Sequence, residues 1–177
     1  MKYILKPGFV FFLTVLLLCG NLKPLSGQDK LTISGGFGIP EYYNLGATYT
    51  LNHSQIGMGI GYLPYNGILM TASGDYYYHV GGVFEQSGKR PWFGRIGFVY
   101  NYEENYYNIW HDVFLNARIG REINFSRKLG VSLDAGVAVN VFHKRIKKIE
   151  PTWMWLNLDV HYTVLPGVGL RLFYRII

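Results

Sequence analysis

The stretch VSLDAGVAVNV, Val131 to Val141, carries an apolar residue at every odd position, with Ser132, Asp134, Gly136, Ala138 and Asn140 between them. Successive side chains leave a strand on opposite sides, so strict alternation marks a strand with one apolar and one polar face. The same period recurs along most of the chain, while a helical period never holds for two turns. It predicts strands over 30–38, 42–52, 55–63, 68–80, 92–102, 108–123, 129–142 and 165–177. Short turns fall at Asn52-His53-Ser54, Pro64-Tyr65-Asn66-Gly67 and Ser126-Arg127-Lys128, and longer connections at 81–91, 103–107 and 143–164. The chain is therefore all-β. Alternation alone does not say which face meets water: a soluble sheet hides its apolar face, whereas a membrane barrel turns it to lipid.

The N-terminus points to a compartment. Lys2 and Lys6 precede an unbroken apolar run, FVFFLTVLLL over Phe9–Leu18, and the turn-prone NLKPLSG follows. This is the layout of a secretory signal peptide, and the run is shorter than the roughly 20 residues of a membrane-spanning helix. Residues 1–27 are expected to be the cleaved signal and 28–177 a single domain. Leu18 stands where a lipobox has a small residue, which argues against lipidation of Cys19, the only cysteine. The mature chain would then have no disulfide. Three cations leave with the signal, so 14 Lys and Arg against 11 acids leave +3 rather than +6.

The kind of polar residue within the strands decides between the two faces. Water-facing strand positions commonly carry lysine and glutamate. Here Lys30, Lys89, Lys128, Lys144, Lys147 and Lys148 all fall at predicted strand starts, turns or loops. Within the strands the polar face is mostly small, with Thr32, Ser34, Gly36, Gly57, Gly59, Gly61 and Ser73, as the crowded interior of a narrow barrel requires. Its charges have both signs: Asp75, Arg95, Asp112, Arg118, Glu122, Asp134, Arg171 and Arg175. Charges removed from water need partners. Arg118, Asp134 and Arg171, on consecutive predicted strands, are expected to meet inside.

The opposite face is apolar, as in Ile56-x-Met58-x-Ile60 and Val113-x-Leu115-x-Ala117-x-Ile119. Arg121 interrupts it near a strand end, where a long side chain can reach headgroups. Tyr42, Tyr43, Tyr62, Tyr65, Tyr102, Trp92, Trp110, Trp153 and Trp155 gather near strand ends, as interfacial aromatics do. An open sheet edge in hydrocarbon would leave backbone groups unpaired, so strands crossing a membrane must close. The expectation is a closed, antiparallel, up-and-down transmembrane β-barrel. Apolar even positions continue from Leu156 to Ile176 straight through Pro166-Gly167. A two-residue hairpin there would invert that phase, which favours one final strand and eight in all. A hairpin with an odd-length loop would add a ninth strand, whereas the single strand keeps the even count of bacterial single-chain barrels; ten is the alternative even count.

The segments GFGIPEYYNLGATY, SGDYYYHVGG with RPWFGRIGFVY, and the terminal LPGVGLRLFYRII resemble the small outer-membrane β-barrel proteins of the Bacteroidota. The build is similar to the eight-stranded barrels of enterobacterial outer membranes. The resemblance implies outer-membrane location, contact with outer-membrane lipids and lipopolysaccharide, and insertion by the barrel-assembly machinery. The end, Tyr174-Arg175-Ile176-Ile177, departs from the terminal aromatic such barrels often carry.

Some barrels of this size act on lipid A, using a His with a Ser and an acid. His53-Ser54 are adjacent in a turn, Asp75 and His79 lie about 13 Å apart along one strand face, and His111-Asp112 point to opposite faces. Asp159-Val160-His161 has only Thr152 and Thr163 nearby as hydroxyls. The five histidines show no metal-ligand spacing, and the 22 glycines follow strands and turns rather than a phosphate loop. No catalytic residue, metal or other cofactor is expected. The cluster HKRIKK is expected in an outward loop, where Lys144, Arg145, Lys147 and Lys148 would meet lipopolysaccharide phosphates or acidic glycans. A monomeric, non-catalytic outer-membrane protein with a side-chain-filled interior and no nucleic-acid partner is the reading. Its rivals are a lipid A-modifying enzyme and a soluble periplasmic barrel holding an apolar ligand.

Overall fold

The structure, a computed structural model, describes residues 30–64, 67–82, 90–148 and 163–176. The expectations for the signal segment, Cys19, Tyr65, Trp153, Trp155 and Asp159-Val160-His161 lie outside the described residues. Eight strands follow in order: β1 (Leu31–Ile39), β2 (Tyr42–Leu51), β3 (Ser54–Pro64), β4 (Ile68–Val80), β5 (Trp92–Glu104), β6 (Asn108–Asn124), β7 (Leu129–Lys147) and β8 (Val164–Arg175). Each pairs antiparallel with the next, and β8 with β1, closing an up-and-down barrel. The connections are built from local chemistry. Asn105 Oδ1 accepts the N–H groups of Tyr107 and Asn108, and Ser126 Oγ accepts those of Lys128 and Leu129.

The final segment is one strand through Pro166-Gly167. Asn140 N–H donates to Thr163 O at 2.8 Å. The alternation of bonded and non-bonded pairs then makes Val137 and Pro166 a non-bonded pair. The N–H that Pro166 lacks would have faced away from β7, beyond the last β1 partner pair, Ile39 and Val168. No ladder bond is lost.

One boundary differs from expectation. β7 runs to Lys147 and pairs with Asn108–Asp112, so His143 to Lys147 are strand and not loop. A bulge opposite Val113/Phe114 leaves Val141 without a partner. It reverses the facing of everything beyond, as one extra residue must. Tyr42 and Trp110, expected on the outer rim, are half-buried instead, and Trp110 lies on the lumen-facing phase of β6 beside Arg145.

The register also fixes the tilt. Partners followed from Leu31 through Tyr49, Ile56, Tyr76, Ile96, Ala117 and Val137 arrive at Pro166. That is two residues past the partner of Ile39, a displacement of ten residues toward the β1–β2 turn. Ten residues at about 3.3 Å over a perimeter of eight strands at about 4.8 Å give a tilt of about 40°. A row of paired residues therefore rises toward the β1–β2 end as it passes from β1 to β8.

The barrel is inside out for a water-soluble protein. Arg118 is 3% exposed while its neighbour Ile119 is 69% exposed. Seventeen polar or charged residues are buried among those described, against seven hydrophobic ones and Pro40. The buried apolar layer, Val99, Phe114 and Ala138 with Leu165 against it, lies across the lumen at the loop end of the barrel.

Candidate functional site: a charged lumen inside an apolar belt

The lumen charges fall into three layers. In the central layer three guanidiniums meet three carboxylates. Arg95 binds Asp75 through two bonds, Nε to Oδ1 at 2.8 Å and Nη2 to Oδ2 at 2.7 Å, and reaches Glu41 Oε1 at 2.6 Å. Arg118 Nη2 binds both Glu41 oxygens at 2.8 and 2.9 Å, and its Nη1 binds Asp134 Oδ1 at 3.0 Å. Arg171 donates to the other Asp134 oxygen and to the Tyr77 hydroxyl, the latter at 2.8 Å. Both Arg95 and Arg171 lie against the Tyr77 ring. Planar forks facing carboxylates satisfy several hydrogen bonds at once, which is what a charge without bulk water requires.

Toward the chain termini Arg175 binds Glu122 Oε2 at 2.5 Å and Asn124 Oδ1 at 2.6 Å, and covers the Phe173 ring. Toward the loop end Asp112 Oδ1 accepts from Asn140 Nδ2 at 2.8 Å and lies 2.7 Å from His143 Nδ1. The eight charges singled out in the sequence thus face the lumen but form separate groups. Asp112 stands apart from Glu122 and Arg175, and both from the centre.

Glu41 is the carboxylate of the central layer that sequence reasoning missed. It sits in the β1–β2 turn, where no period applies, yet the turn folds into the barrel and Glu41 is buried beside fully buried Pro40. Its backbone carbonyl accepts from Thr71 Oγ1 at 3.1 Å. A signal existed in the glycines opposite. A Cβ added at Gly61 would lie 2.1 Å from that same carbonyl, so the small residues of β3 mark where another segment enters. The remaining interior space around the centre is two cavities of about 20 and 30 Å³, both lined by Tyr77 and Arg171. Each has room for about one or two waters.

The candidate catalytic pairs are dispersed. Ser54 Oγ shares a hydrogen bond with the Tyr76 hydroxyl at 2.8 Å, and His79 Nδ1 with Arg90 O at 3.1 Å, while Asp75 is held by Arg95. His111 faces outward, Nδ1 2.7 Å from the Tyr100 hydroxyl, and Asp112 faces inward. Among the described residues no three His, Cys, Asp or Glu side chains are grouped to hold a metal.

The basic cluster is also divided. Arg145 turns inward, with Nε on Asn108 Oδ1 at 2.9 Å and its guanidinium over Trp110. Lys148 binds Glu104, Lys147 is at the exposed tip of β7, and only Lys144 joins the outer face. At this rim, the Lys148 ammonium, aided by the Tyr102 hydroxyl, holds the Glu104 carboxyl below the usual range. Burial, reinforced by Asp112, pushes Glu103 up.

Outside, the exposed face is apolar over most of its height. On β6 it runs through Ile119, Ala117, Leu115 and Val113, bounded by Arg121 on one side and His111 on the other. Arg121 lies over the Trp92 ring at 5.3 Å. From Arg121 to His111 the strand advances ten residue steps, about 33 Å, which at a tilt of about 40° stand about 25 Å high. No family model, no curated protein and no solved structure matches the chain.

Proposed function

We propose that this chain is an integral outer-membrane β-barrel with a filled interior, serving a structural or surface-interaction role and not a catalytic one. The observation that supports this best is the outer belt. A closed barrel with exposed Leu45, Ile60, Ile96 and Ile119 outside and Arg95, Arg118 and Asp134 sealed inside has its apolar surface where lipid would lie. The belt's height of about 25 Å equals the apolar band of outer-membrane barrels. Trp92 with Arg121 at one margin, and Tyr102 with His111 at the other, are the half-apolar, half-polar side chains that suit an interface.

The interlocked central layer supports a plugged barrel in place of an open pore. A lumen so charged gives an apolar ligand nothing to bind, which disfavours the soluble carrier. In this reading the protein is an exported monomer, inserted by the assembly machinery, whose constant partners are outer-membrane lipids, as the resemblance to the Bacteroidota barrels implies. The connections opposite the termini then face outward.

The test is membrane fractionation of the full chain with heat-modifiable gel migration. A membrane barrel stays in the pellet through a carbonate wash and changes mobility on boiling. Release by carbonate, with one mobility throughout, overturns the proposal.

A further inference from the structure

Resting on the membrane reading above, we propose that the outer surface of β2–β7 is a binding site for lipid A, the phosphorylated, multiply acylated lipid of the outer leaflet. The evidence is a single register row. Tyr43 pairs with Tyr62, Tyr62 with Met70, Met70 with Tyr102, Tyr102 with His111, and His111 with Lys144. All six side chains face outward, and the row rises toward the loop end.

Its lower part is a shallow apolar groove of about 890 Å³. The floor is low because β4 presents Met70 and Ala72 between taller neighbours. Leu45, Ile60, Tyr43 and Tyr62 form one wall, and Tyr100 and Tyr102 the other. Its size falls within the range of sites for lipid-sized ligands, about 300–1,000 Å³.

The same two tyrosines join the groove to the polar end. Tyr100 hydroxyl bonds His111, and the Tyr102 and His111 rings meet edge to face with centroids 5.5 Å apart. Next in the row stands Lys144, with no carboxylate at ion-pair distance among the described residues. Glu104 is the acid nearest this end of β5, and its carboxylate is engaged by Lys148 and the Tyr102 hydroxyl. An apolar trough leading upward to a cation at the outward-facing interface is complementary to an acyl chain below a phosphate. Of the four cations first assigned to anion contact, the geometry retains Lys144 and excludes Arg145, which faces the lumen.

The test uses the full chain refolded in phosphatidylcholine vesicles containing lipid A, extracted in mild detergent and assayed for lipid A retained per protein. Lys144→Gln should lower retention about fivefold, the factor for one near-surface cation, and Lys144→Glu more. Ala72→Trp, which fills the groove, should lower it as well, while Arg145→Gln should leave it unchanged. Dephosphorylated lipid A should be held as poorly by the wild type as lipid A by Lys144→Gln. Equal retention by Lys144→Glu overturns the site. Loss on Arg145→Gln alone overturns the placement, and equal retention of phosphatidylglycerol overturns the commitment to lipid A. Heat-modifiable migration is read on every sample, so a chain that never inserts counts against the membrane reading, whereas one that inserts without retaining lipid A counts against this site.

Discussion

The two walls of the lumen differ in kind. β1–β3 present Ser34, Gly36, Gly38, Gly57, Gly59 and Gly61 to the interior, whereas β4–β8 present Asp75, Tyr77, Arg95, Arg118, Asp134 and Arg171. The contrast is steric bookkeeping across one narrow space. A Cβ at Gly36 would lie 2.7 Å from Arg171 Cγ and 2.1 Å from Leu170 O. The glycine wall is thin because long side chains from the other wall, and the inserted β1–β2 turn, occupy the volume. The two walls amount to one filling, shared unequally.

That view is open to breakage in order of expected effect. Asp134→Ala should do most damage, because Arg95, Arg118 and Arg171 all border that carboxylate. Removing one partner of a buried ion pair costs about 3–5 kcal/mol, read as a fall in the urea midpoint of the refolded protein in micelles. A midpoint unchanged by Asp134→Ala would mean the charged wall is wet and the filling loose.

Leu115→Arg touches neither wall and supplies the outside reference. At mid-belt it should cost about 2–4 kcal/mol in vesicles, and much less if the belt faces water.

On the glycine wall, Gly61→Val drives side-chain atoms into the Glu41 carbonyl and Thr71. Overpacking of this sort costs about 1–3 kcal/mol. Gly94→Ala, with nothing within 4 Å of the added Cβ, should stay within about 0.5 kcal/mol. Gly94 faces outward on β5, so similar losses from both would mean that the cost at Gly61 does not come from crowding in the lumen.

The smallest effect belongs to the rim. The Lys148 pairing depresses the folded-state pKa of Glu104. Its contribution is therefore present above the ordinary carboxylate range and lost as pH falls through the depressed value. Glu104→Gln should flatten stability only in that acid window, and only slightly, since the pair is at the surface.

Much of this fold was legible. Alternation located all eight strands, because each has one apolar face and a two-residue period records it directly. The lysine-free strand centres indicated which face is enclosed. Three features had no such record. Glu41 belongs to a turn, and its role depends on that turn folding inward, which only the glycines of β3 hint at. Tyr77 reads as one more strand aromatic, although it joins Arg95 and Arg171. The HKRIKK cluster reads as a loop because charge is a surface signal, but it continues a ladder whose other side, Asn108–Asp112, was already counted as strand.

The unpartnered Val141 behaves like a frameshift. Upstream of it odd positions look out; downstream, even ones do, because Asn140 and Phe142 pair with the consecutive Phe114 and Val113, so that Lys144 meets the surroundings while His143 and Arg145 meet the lumen. Length changes in this hairpin therefore carry parity. Removing Val141 alone would close the bulge and keep Lys144 outside and Arg145 within, while removing Val141 together with Phe142 would exchange the two sets. Within a connecting turn the same deletion carries no such meaning. Tolerance to insertion and deletion along this chain should follow odd and even counts inside strands, and simple reach between them.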